Sequence, residues 1–185
     1  MRWFYLLILI LFNAGCTQGI PPLNFSVPNI QPSSQRVAAE VKSVTVSLAR
    51  ADEQESMFQA GDELITPSWK AALDEALNKA AIFQDDAQRK VSIAVKVLRV
   101  NFPPFAMNFT TTSVAVYQVL DRSSGAVLYA ERIQTTGTAP SDFAFLGVAR
   151  ARESVNRSVQ ANIAEFISKV GSMGAGLSRV PLNGS

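Results

Sequence analysis

The chain has 185 residues, 17 of them basic and 15 acidic, with one cysteine and no histidine. Near-balanced charge without a basic stripe argues against nucleic acid, and the missing histidine excludes His-based acid/base catalysis, His metal ligation and a Ser-His triad. One cysteine rules out an internal disulfide, and the length suits a single hydrophobic core.

The first fifteen residues carry one charge, Arg2, then the apolar run 3–12, then Asn13-Ala14-Gly15 directly before Cys16. This is the n-region, short h-region and small-residue cleavage site of an export signal. The run is about half of the roughly twenty apolar residues that a spanning helix needs. Ala14-Gly15-Cys16 resembles the lipobox of bacterial lipoproteins, with Asn13 standing where the family usually has Leu. The resemblance implies a signal peptide over 1–15, cleavage between Gly15 and Cys16, and acylation of Cys16 on its sulfur. One acyl chain attaches marginally and two or more attach stably, so the membrane is the first partner the resemblance implies. Thr17 in place of Asp after the cysteine resembles lipoproteins sent onward to the outer membrane. The expected location is therefore the cell envelope, facing the periplasm, at the outer membrane rather than the inner.

Next, 17–36 holds Pro21, Pro22, Pro28 and Pro32 without a sustained period, which reads as an extended tether over 16–38. Phe25, Val27 and Ile30 are the residues in it able to dock. Alternation of Val44, Val46 and Leu48 with Ser43, Thr45 and Ser47 predicts a strand over 40–49 with one dry face. The acidic stretch 52–63 reads as a solvated surface connection, because Asp52, Glu53, Glu55, Asp62 and Glu63 lack the order of a calcium-binding loop. Thr66 as cap and Pro67 in the first turn open a helix. Its apolar stripe is Trp69, Leu73, Leu77 and Ala80, with Glu75 and Lys79 paired on the surface. Trp69 on that stripe reads as core rather than as a ligand platform. Asp85-Asp86 supplies the turn that follows.

The β-branched run 91–102, apolar on both faces, predicts a central strand: Val91, Ile93, Val95 and Val97 on one side, Ala94, Leu98 and Val100 on the other. A third strand covers 109–120, a hairpin turn 121–125 and a fourth strand 126–136. Val148, Ala151, Val155, Val159, Asn162, Phe166 and Val170 recur at three- and four-residue spacing, predicting a long helix that Gly171 ends. Glu153–Arg157 and Glu165–Lys169 are its surface pairs, and Arg150, Arg152 and Arg157 read as solvated. The sum is an α+β domain over 39–170, order β-α-β-β-β-α: a mostly antiparallel sheet of about four strands, two helices on one face, and a flexible tail over 171–185.

That order, with Trp69 opening the first helix, the hairpin from Asp121 to Gly125, Arg150-Ala151-Arg152, Asn162-Ile163 and Phe166-Ile167, resembles small Gram-negative envelope lipoproteins of the YajG-like type. It is similar also to lipoprotein activators of penicillin-binding proteins and to auxiliary lipoproteins of ABC-type lipid transport. The resemblance implies a periplasmic domain that binds an envelope protein or lipid, and it brings no catalytic residue, cofactor or metal site. A non-enzymatic accessory or structural lipoprotein is the leading reading. A lipid carrier with a groove between long helix and sheet is the alternative, ahead of a hydrolase or transferase working through Ser, Lys or paired carboxylates. Asp85-Asp86 and the 52–63 acids sit in exposed loops, where pKa values are rarely tuned for acid/base work. The candidate contact is the connection 102–107, whose Pro103 and Pro104 keep it out of a ladder. Either it folds back under a helix, or Phe102, Phe105 and Met107 join Phe143 and Phe145 in an exposed patch.

Overall fold

A computed structural model of the chain describes residues 22–56, 62–101 and 106–173. Its elements are β1 (Glu40–Leu48), a 3-10 turn (Asp62–Leu64), α1 (Ile65–Ala80), β2 (Lys90–Asn101), β3 (Phe109–Asp121), β4 (Val127–Ala139) and α2 (Gly147–Met173). The sheet runs β1-β2-β3-β4, with β1 parallel to β2 and the other neighbours antiparallel. A parallel pair needs a crossover, and α1 lies within it. This is the α+β single domain expected: a mixed, mostly antiparallel four-stranded sheet with two helices.

The alternation read in the sequence sets the dry face. Val44, Ile93, Val119 and Tyr129 stand in one row across the sheet, and Val46, Val95 and Tyr117 in the next. Against them pack Trp69, Leu73 and Leu77 of α1 and Val155, Val159, Phe166 and Val170 of α2, forming one core. The Tyr117 ring stacks on Phe166 with centroids 4.3 Å apart, and its hydroxyl accepts a hydrogen bond from the Trp69 indole at 3.1 Å. Trp69 is thus core, as its stripe predicts. Burying a side chain of this size stabilises the fold by about 1.5–3 kcal/mol.

Several expectations are corrected. Val100 packs toward the core rather than sharing the outer face with Leu98. A register shift between Val97 and Arg99 inserts Leu98 as an extra residue and reverses the alternation beyond it. The first helix begins at Ile65 after Leu64, without a side-chain cap; Thr66 already lies inside it, its hydroxyl reaching back to the Glu63 carbonyl at 3.4 Å. That helix ends at Ala81, which takes a left-handed conformation with φ 47°, ahead of the Asp85-Asp86 turn. The last helix continues through Gly171 to Met173, with Gly171 seated close to Ser33 and Ile82. The rest of the expected tail, 174–185, lies outside the described residues.

The segment read as a tether is folded onto the domain from residue 22. Phe25, Val27, Val37 and Ala39 belong to the core, and Phe25 meets Trp69 edge-on at 6.2 Å. The Asn24 N–H donates to the Asn156 side-chain oxygen and its carbonyl accepts from the Gln160 amide, and the Ser33 N–H reaches the Ala80 carbonyl. This stretch therefore runs from midway along α2 toward that helix's C-terminal end, filling the seam between the helices without any regular period.

The N-terminal half of α2 meets β3 and β4 through hydroxyls. Thr111 and Ser154 share a hydrogen bond of 2.7 Å. Ser113 and Thr135 both donate to the Ser158 carbonyl, at 3.0 and 2.8 Å, and the fully buried Asn162 donates to the Ile133 carbonyl at 3.1 Å. Gly137 of β4 makes this approach possible: a Cβ there would lie 2.2 Å from the Ser158 backbone nitrogen.

Candidate functional site

Two loops meet at one end of the domain. β2 ends there, β3 begins there, β4 stops at Ala139 opposite Phe109, and α2 starts at Gly147. The Asn108 side chain accepts the Ser141 N–H at 3.0 Å and ties the β2–β3 connection to the β4–α2 loop. Around this tie the surface is apolar: Phe145 is 93% exposed and Met107 80%, and Phe143, Leu146 and Val148 are exposed as well.

The loop is held from beneath by arginines. The Arg150 guanidinium donates to the carbonyls of Ala144 at 2.6 Å and Phe145 at 3.1 Å while lying over the Phe109 ring. Arg157 lies over the Phe143 ring, pairs with Glu153 at 2.7 Å and donates to the Thr138 carbonyl. These arginines, read as merely solvated, anchor the backbone from which Phe145 projects. Such an exposed apolar cluster marks a contact surface more often than chance.

Of the residues singled out in the sequence, Met107, Phe143 and Phe145 fall at this end; Gly15, Cys16, Phe102 and Phe105 lie outside the described residues. Leu146 and Val148 were not anticipated. Val148 continues the apolar spacing of α2 but sits in its first turn and is exposed rather than core. Phe145-Leu146 directly before the helix start was the signal available for the pair.

The acidic connection after β1 is not freely solvated. Glu53 pairs with Lys96 of β2 at 2.7 Å, and Glu55 pairs with Arg132 of β4 through both carboxylate oxygens at 2.8 Å, so the loop lies across the outer face of the sheet. The Lys96 hydrogen bond holds the Glu53 carboxyl below its ordinary range. Those of Lys42 and Lys90 do the same for Glu40, and Lys79 with Ser26 for Glu75. At Asp121, hydrogen bonds from the Ser123 hydroxyl and the backbone N–H groups of Ser124 and Ser123 bring the carboxyl down to about 2. These shifts keep carboxylates ionised, the opposite of what a general acid needs. No three acidic or thiol groups among the described residues are placed to hold a metal.

A hollow of about 290 Å³ lies on the outer sheet face beside Thr45, Lys96 and Gln118, and one of about 400 Å³ lies between β1 and α1 beside Lys42 and Asp74. Neither lies between α2 and the sheet, where Phe166, Tyr117 and Ile163 fill the space. No helix among the described residues is long and apolar enough to cross a membrane.

No family model and no curated sequence matches the chain. Solved structures are similar to it. A Xanthomonas campestris protein of the DUF330 family superposes with a TM-score of 0.52 at 11% identity, over 83% of this chain and 95% of that one. PelC from Paraburkholderia phytofirmans, a dodecamer, gives 0.49 at 12% identity over 76% and 94%. A minor lipoprotein from Acinetobacter baumannii gives 0.43 at 9% identity over 71% and 93%. What the chain shares with the Xanthomonas protein at this identity is the fold.

Proposed function

We propose that this chain is a small lipoprotein of the bacterial cell envelope, of the YajG-like or auxiliary type, cut before Cys16 and anchored by acyl chains on that cysteine. The domain stands on the periplasmic side, at the outer membrane, and works by binding an envelope component rather than by turnover. The observation that carries the reading is the position of the only cysteine, directly after a charged start, a short apolar run and Ala14-Gly15. A lone thiol in an exported protein is uncommon, and acylation accounts for it. The solid packing between α2 and the sheet supports an accessory role over a carrier with an internal groove. The carboxylates held ionised by lysines support binding over acid/base catalysis. The apolar end built by Met107, Phe143, Phe145, Leu146 and Val148 is the surface through which the domain makes its contact.

The test is metabolic labelling with radioactive palmitate. The natural chain takes up label, and Cys16→Ser loses it and leaves the protein unprocessed or released from the membrane. Label retained by Cys16→Ser, or absent from the natural chain, refutes the anchor.

A further inference from the structure

We infer that the occupant of the apolar end is the bilayer that holds the anchor, so that the domain stands end-on with Phe145 and its neighbours inserted into the lipid surface. This rests on acylation of Cys16, and the chain length outside the described residues then decides which end meets the membrane. From Cys16 to Pro22 there are six residues, which span at most ~20 Å when fully extended. The chain joins the domain against Asn156, where Pro22 and Asn24 are bonded. Asn156 is nine residues from the start of α2, about 14 Å along the helix, and seventeen from Met173, about 26 Å. The link therefore reaches the apolar end and falls short of the opposite one.

Chain direction agrees with length. Residues 24 to 33 run from Asn156 toward Ala80 and Gly171, away from the apolar end. The chemistry of that end suits an anionic lipid surface. Phe145 and Met107 protrude, while Arg150 and Arg152 near the start of α2, and Arg157 against the Phe143 ring, stand against one loop carboxylate, Asp142, and Glu153, which is already paired with Arg157. Exposed aromatic and aliphatic side chains backed by arginine are what an interfacial contact uses. The Arg150 bonds to the carbonyls of Ala144 and Phe145 fix the loop beforehand.

The experiment uses the full acylated protein in vesicles of phosphatidylethanolamine and phosphatidylglycerol. With Cys16 blocked by lipid, Phe145→Cys and Ser124→Cys each offer one free thiol for an environment-sensitive fluorophore; both positions are exposed. They lie at opposite ends of β3, roughly 40 Å apart for its thirteen residues. Mass spectrometry first establishes the lipid on Cys16. Lipids carrying a nitroxide near the headgroup should then quench most of the emission at 145 and leave 124 unchanged, with the spectrum at 145 shifted to the blue. Equal quenching, or quenching at 124 alone, overturns the end-on orientation while leaving the anchor intact. A probe at 145 shielded from lipid but cross-linking to a second copy or to an envelope protein assigns the end to a protein partner and also overturns it. An unacylated Cys16 removes the anchor, and this inference with it.

Discussion

Replacing Gly137 by alanine tests the closest approach made by any of the described glycines. The added Cβ would lie 2.2 Å from the Ser158 nitrogen and 2.6 Å from both the Arg157 carbonyl carbon and the Ser154 carbonyl oxygen. All three are backbone atoms of α2, so no rotamer change relieves the contact. The helix must lift by about 1 Å to restore ordinary separations. A shift of that size stretches the Ser113 and Thr135 hydrogen bonds to the Ser158 carbonyl and the Thr111–Ser154 bond beyond useful length. Each is worth about 0.5–1.5 kcal/mol, and the overpacking itself costs about 1–3 kcal/mol. Alanine recovers roughly 0.5–1 kcal/mol by restricting the unfolded chain. Together these contributions give a net loss of about 2–7 kcal/mol, a large part of ordinary domain stability. Urea unfolding can be followed through Trp69, the only tryptophan in a chain that starts at Thr17. An unchanged midpoint for Gly137→Ala refutes the close packing. So does rescue by Ser158→Gly, because the clash is with the helix backbone and not with the serine side chain.

Tyr117→Phe removes the acceptor of the Trp69 indole N–H in a site where both side chains are fully buried, and should cost about 1–3 kcal/mol with a shift in Trp69 emission. Unaltered stability and emission together mean that the bond does not form. Asp121→Ala has a pH signature. The native carboxyl titrates at about 2, below the ordinary value of 3.8, so its contribution is complete above roughly pH 4 and is lost as pH falls toward 2. The gap in melting temperature between natural and variant chains should therefore close across that window; a gap of constant width contradicts the assignment of the shift to the Ser123 and Ser124 hydrogen bonds.

The elements legible in the sequence were those whose buried face is apolar. Val44, Val46 and Leu48, the run from Val91 to Val97, and the Trp69-Leu73-Leu77 stripe announce β1, β2 and α1 because hydrophobic burial imposes the period of the element. β4 was read only to residue 136 and extends to Ala139. Its last turn toward the core uses Thr135 and Gly137, residues that pattern reading assigns to a surface, since their partner is a helix backbone and not a side chain. The segment 22–38 was obscure for the converse reason: Phe25, Val27 and Val37 are buried one by one in a groove, and an irregular chain leaves no period to find. Of the site, the aromatic content of 143–145 was legible. Its joining with Met107 was one of the two alternatives read there; what brings the two together, β4 running back alongside β3 to Phe109, is visible only in the fold.

The two halves of α2 hold the sheet by different forces, and the difference bears on the apolar end. From Ile163 to Val170 the contact is hydrophobic, with Phe166 stacked on Tyr117. Such packing rewards filled volume and sets axial position only loosely. From Ser154 to Asn162 the apolar contacts of Val155 and Val159 are joined by a set of directional bonds to Thr111, Ser113, Thr135 and the Ile133 carbonyl, closed over Gly137. A slide of one residue along the helix axis, about 1.5 Å, breaks every one of them. Buried hydroxyls and an amide therefore give α2 its register on the sheet, a role hydrophobic packing alone does not fill. Because the loop carrying Phe143, Phe145 and Leu146 is bonded to Arg150 in the next turn toward the N-terminus, the same register sets how far those side chains project beyond Met107 and the end of the sheet.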